Sequence, residues 1–230
     1  MNIIKKILEN PFVIIIYSSF LILFHVSPAF YLLEQKLFSY ESVWFQLVVS
    51  INAVIVLFII PFYIIKFIYK KKIVDFGFRM PENLSYTIKL TVLILVFFTP
   101  IMFFLSKQTS FQDYYSVDQN IINFILLSII SGIYYFAEEF LFRGLLFFGI
   151  WDKFKFHSFW IVNTLFALFH IGKPPYEIIL AFFLGLTLTY LSYKTKSFIP
   201  AVVVHFTLAL ILNIIVTFFY TSKIVGSFHY

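Results

Sequence analysis

Residues 119–151 read QNIINFILLSIISGIYYFAEEFLFRGLLFFGIW. The first 19 of them carry no charge, and after the acids at 138 and 139 only Arg143 does. An apolar run of about 17–25 residues is long enough to cross the hydrocarbon of a bilayer as a helix. A carboxylate in that medium costs roughly 2.5–3.5 kcal/mol even on lenient insertion scales, so it persists where something uses or neutralises it. This one stretch therefore predicts both a membrane-spanning helix and a site upon it.

The remainder of the chain agrees. Its 230 residues are 61% hydrophobic and 12% charged, with a mean hydropathy of +0.95, outside the composition of soluble globular domains. Apolar runs recur at 11–33, 42–65, 90–106 and 197–222. Two shorter ones, 156–172 and 178–193, suit helices inside a bundle rather than against lipid. The reading is an all-α fold, a polytopic transmembrane helical bundle of about seven spans (six to eight). It forms one integral membrane domain over 1–230, with N-terminal spanning helices over 1–119 and a helical core over 120–213. The only candidate boundary is the polar stretch 70–83; 107–118 reads as a loop on the outer side.

Basic residues set the expected orientation. With the N-terminus inside, the inner segments hold Lys5, Lys6, Lys66, Lys70, Lys71, Lys72, Arg79, Lys89, Lys153, Lys155, Lys194 and Lys196. The outer ones hold Lys36, Lys107, Lys173 and Lys223. Twelve against four is a positive-inside bias, and it accounts for the net charge of +6 without a nucleic-acid partner. The expected location is an integral multi-pass membrane protein, in the plasma membrane if the source is bacterial, with the bilayer as its first partner. The site is expected to open inside, with Glu138 near an inner helix end. The absence of cysteine removes disulfides, thiolate nucleophiles and cysteine-bound metal.

Chemistry concentrates on three helices. Glu139 and Arg143 stand at i and i+4, acid first, the favourable order for a helical ion pair. Glu138 points about 100° away, which leaves it as the unpaired acid and a candidate for proton transfer. His170 should close the next helix, since Gly172, Pro174 and Pro175 follow it. Phe166 lies one turn before it and Asn163 two turns before. Ser197 and Pro200 should open the last helix, which carries His205 and, two turns on, Asn213. His25, His157 and His229 read as interfacial, packing or tail residues, and Gly185 as a point of close helix approach.

Taken together, Glu138-Glu139 with Arg143, then Phe166 with His170, then His205, resemble the motifs of the CPBP family of intramembrane proteases. That family includes CAAX prenyl endopeptidases of the Rce1 type and bacterial Abi and bacteriocin-immunity relatives. The resemblance covers about residues 120–213. It implies hydrolysis of a peptide bond in a membrane-associated, in some members prenylated, protein or peptide. Carried over, Glu138 and His170 activate water, Glu139 and Arg143 support them, and His205 stabilises the oxyanion. Glu138, His170 and His205 could also hold a divalent metal such as zinc, with an open fourth position; a metal-free glutamate–histidine mechanism fits the same residues.

The chain departs from the family at one position. Where an Asn or Asp usually follows the second histidine by four residues, Ala209 stands. Asn213 lies a further turn along, about 12 Å from His205 by helix rise, and Asn163 is the other amide in reach. One lost oxyanion donor typically costs about 100- to 1000-fold in rate. A slow protease, a protease with a relocated donor, and a non-catalytic binding or immunity protein all remain open. A proton-coupled transporter using Glu138 is disfavoured by the lack of an inverted repeat.

Overall fold

The computed structural model describes residues 7, 9–26, 43–115 and 120–220. All regular structure among them is helical. In chain order the helices are α1 (Pro11–His25), α2 (Val43–Ile68), α3 (Leu84–Leu105), the short α4 (Thr109–Tyr115), α5 (Ile121–Phe154), α6 (His157–Phe169), α7 (Pro175–Thr195) and α8 (Ile199–Tyr220). Five of them, α2, α3, α5, α7 and α8, are long and apolar enough to cross a membrane, while α1 and α6 are shorter apolar helices. The expected continuation of the first span over 27–33 lies outside the described residues.

Local sequence explains the helix starts. Asn10, Asn83 and Asn120 each accept a hydrogen bond from a backbone N–H of the first turn, at 2.9–3.0 Å. Pro200 and Pro175 sit where a missing N–H costs nothing. The Ser197 hydroxyl accepts from Ile199 N at 3.2 Å and donates to Arg79 O, so one serine opens α8 and ties it to the turn before α3. Gly172 follows the α6 terminus at φ +99°, a left-handed turn that side-chain-bearing residues rarely adopt.

The main correction concerns α5. The sequence suggested a span ending at the acids, with Glu138 near an inner helix end. The structure instead runs one helix of 34 residues, and Glu138 lies at its middle. No proline interrupts it, and the charges are answered inside the helix by Arg143, so the chain need not surface there. A π-helical turn, Phe140–Leu146, follows Glu139, and all seven of its residues are buried. Such wider turns inside α-helices recur at functional sites.

The bundle wraps α5. Its C-terminal half, with Phe140, Phe142 and Phe147, packs with α1, α2 and α6 in one apolar cluster. A second cluster joins α3, α7 and α8 through Ile94, Phe98, Leu188 and Leu208. The outer faces stay apolar, as on α3 at Leu93, Val96, Phe97 and Phe104. That is the pattern of a bundle whose surrounding solvent is lipid.

Candidate active site

The paired acids, the arginine and both histidines, scattered over 68 residues of chain, converge in the core. Arg143 Nη1 donates to Glu139 Oε1 at 3.1 Å, and both side chains are fully buried. The guanidinium is held from three further directions. Its Nη2 donates to Asn163 Oδ1 at 3.3 Å and to the Gly185 carbonyl at 3.2 Å, and it lies 3.9 Å above the Phe166 ring. Extra hydrogen bonds to the arginine make a buried ion pair tolerable, and a stacked cation adds to that, although Arg143 Nε and Glu139 Oε2 make no hydrogen bond among the described residues.

Gly185 explains how α7 approaches so closely. A Cβ at this position would stand 2.5 Å from Asn163 Oδ1 and 3.1 Å from Arg143 Nη2. The residue expected to permit close approach thus also offers its carbonyl to the arginine. Asn163 is fully engaged: its amide nitrogen donates to Phe159 O at 2.6 Å and contacts Thr189 Oγ1 at 3.1 Å. It orients Arg143 and has no amide proton free for a substrate.

His205 Nδ1 lies 2.8 Å from Glu139 Oε1, so the same carboxylate oxygen serves the arginine and the imidazole. His170 Nδ1 lies 2.8 Å from the Phe166 carbonyl. A carbonyl only accepts, so that nitrogen carries the proton and His170 Nε2 carries a lone pair. Glu138 sits between them. It is 1% exposed, and its Oε1 makes no hydrogen bond among the described residues. One potential ligand atom each from Glu138, His170 and His205 lie within 4.8 Å of one another.

The two histidines meet a cavity of about 50 Å3, room for a few waters, and Glu138 stands beside them without being one of its lining residues. His170, His205 and Ala209 line it, together with four polar residues that sequence reasoning did not single out: Tyr115, Tyr135, Lys173 and Glu177. Asn213 is not among its lining residues. Tyr135 precedes Glu138 by three positions and Glu139 by four, which places it on their face of α5. That helical spacing was the signal for it.

Lys173, Glu177 and Tyr115 form the cavity's polar end. Lys173 Nζ pairs with Glu177 Oε1 at 3.0 Å, and the Tyr115 hydroxyl donates to the Glu177 carboxylate at 2.6 Å. Burial disfavours the Lys173 ammonium, yet Glu177 and the surrounding tyrosine hydroxyls outweigh it and hold its pKa well above the usual lysine range. Burial likewise pushes the Tyr115 phenol well above its ordinary value, so it stays protonated and donating. These residues belong to α4, the turn after α6 and the first turn of α7. They lie at the end of the bundle opposite the basic turns around Arg79 and Lys196, since α7 alone separates Glu177 from Lys196 by nearly 30 Å. The polar end of the site therefore lies opposite the basic turns, where the sequence had placed its opening on the basic side.

Residues 117–211 match the family model described as type II CAAX prenyl endopeptidase, Rce1-like. No curated protein and no solved structure matches the chain.

Proposed function

We propose that this chain, whose residues 117–211 match the Rce1-like family model, is a CAAX-type intramembrane protease, an endopeptidase that hydrolyses a peptide bond in a membrane-associated protein or peptide. The observation that supports it most directly is the buried, hydrogen-bond-free Glu138 Oε1 within 4.8 Å of two imidazoles. A buried acid kept without a structural partner is kept for reaction.

The roles follow from who holds whom. Arg143 neutralises Glu139, and Glu139 holds the His205 ring. Glu138 takes one proton from a water as its oxygen bonds to the scissile carbonyl carbon and the carbonyl electron pair moves onto oxygen. His170, with its proton fixed on Nδ1, accepts from the same water through Nε2 and orients it. His205, its ring held through Nδ1 by Glu139, stabilises the oxyanion. The intermediate then collapses: the oxyanion re-forms the carbonyl, the C–N bond breaks and the proton on Glu138 passes to the departing nitrogen, giving a carboxylic acid, which still carries the second water proton, and an amine.

Glu138, His170 and His205 also fit a divalent metal, since a carboxylate and two imidazoles on three helices are the donor set of a catalytic zinc site. Bound there, zinc would supply Lewis acidity and a more acidic water. Substrate access is on the outer side in this reading, with the N-terminus inside; the cavity's polar end and the positive-inside count support it. Ala209 favours one second reading, a non-catalytic membrane binder or immunity protein.

Quantitative profiling of membrane-protein and peptide C-termini tests the reading, using cells expressing wild type or Glu138→Gln at matched levels. New termini found only with wild type are expected, because loss of a general base typically costs 100- to 10,000-fold. Identical profiles from two intact proteins would overturn the protease reading and favour the binder.

A further inference from the structure

We infer that the Tyr135 hydroxyl supplies the oxyanion donor that Ala209 cannot, an inference that rests on the protease reading above. Ala209 lines the same cavity as His170 and His205 but presents only a methyl group. The two amides nearest in sequence do not replace it: Asn163 is engaged by Phe159, Thr189 and Arg143, and Asn213 stands two turns, about 12 Å, beyond His205 along α8. His205 contributes a donor only when doubly protonated, because its Nδ1 faces the Glu139 carboxylate. His170 contributes none, because its Nδ1 proton faces the Phe166 carbonyl.

Tyr135 fills that gap in geometry and in chemistry. Its ring lies over His205, with centroids 4.4 Å apart. It lines the cavity together with Ala209, one turn before Glu138 on the same face of α5. None of the hydrogen bonds among the described residues uses its hydroxyl, whereas Tyr115 nearby is committed to Glu177. Lys173 and Glu177, the cavity's polar end, line the same cavity as Tyr135. A phenol in that place keeps its proton throughout and donates a hydrogen bond to the carbonyl oxygen as charge builds on it. It is the same service an asparagine amide would give from α8.

The test uses a substrate found by terminal profiling and the full-length protein in detergent or vesicles. Four forms are compared: wild type, Tyr135→Phe, Ala209→Asn and the double variant, with Glu138→Gln as the inactive reference. Tyr135→Phe keeps the ring on His205 and removes only the hydroxyl, so thermal stability should be unchanged. It should lower kcat by roughly 100-fold or more with little change in KM. Ala209→Asn should restore the double variant to within about tenfold of wild type, by putting an amide where the phenol served. If Glu138→Gln is dead but Tyr135→Phe cuts within threefold of wild type, this inference falls and the protease reading stands. A loss confined to KM, or one that Ala209→Asn leaves unrepaired, also overturns it. If Glu138→Gln is indistinguishable from wild type, both fall together.

Discussion

The two ends of the bundle use charge differently. At one end, the turns around Arg79 and Lys196 are stitched by backbone: Arg79 Nε donates to Lys196 O at 3.0 Å and Phe198 N to Gly77 O at 3.2 Å. Their ion pairs, Arg79 with Glu82 and Lys196 with Glu82, span 3.5 and 3.7 Å between largely solvated side chains. At the other end, Lys173, Glu177 and Tyr115 are mostly buried and lead inward to Glu138, Glu139, Arg143 and the histidines. Solvated pairs contribute about 0–1 kcal/mol, while breaking a buried one typically costs 3–5. The many charges at the first end face solvent, and the few at the second are buried together.

Placing a reporter at each end gives the sharpest test, since its outcome is all or none. The chain contains no cysteine, so Ile171→Cys and Met80→Cys introduce single thiols at exposed positions of the two ends. A membrane-impermeant maleimide should label Ile171→Cys in intact cells and Met80→Cys only after permeabilisation. The reverse pattern would put the site's polar end inside and sink the proposed side of access.

Next in size is Arg143→Ala, which strands Glu139 in the apolar core. A loss of about 3–5 kcal/mol is expected from thermal or denaturant unfolding in detergent; a loss under 1 would mean that water or a rearranged partner already screens the acid. Gly185→Ala should cost about 1–3 kcal/mol through overlap with Asn163. It should also lower activity, because the Asn163–Arg143 contact shifts with it. Glu82→Ala, which removes both pairs at the basic end, should change stability by no more than about 1 kcal/mol. A larger effect there would erase the distinction between the two ends.

The helical membrane bundle was legible from composition and run length, because hydrocarbon admits few backbone solutions and a helix satisfies its own hydrogen bonds. The Glu139–Arg143 pair was legible for an equally local reason: four residues along a helix is one turn. Glu138 as the acid left over followed from the same wheel. What could not be read was the length of α5 through the acids, since a buried arginine removes the signal that normally marks a span's end. Asn163 illustrates the other limit. Its place on the His170 helix was visible, but its duty to Arg143 and Thr189 depends on how α7 approaches.

By itself, then, the sequence determined that this chain is a multi-helix membrane protein with a Glu138, His170 and His205 constellation on separate helices, because helix periodicity and bilayer thickness are local constraints. Only the tertiary structure decided that Glu139 serves Arg143 and His205 at once, that Gly185 lets a third helix close on the arginine, and that Tyr135, Lys173, Glu177 and Tyr115 share the cavity with the histidines. Those are meetings between residues tens of positions apart. They are set by how the helices pack around α5, which no local pattern records.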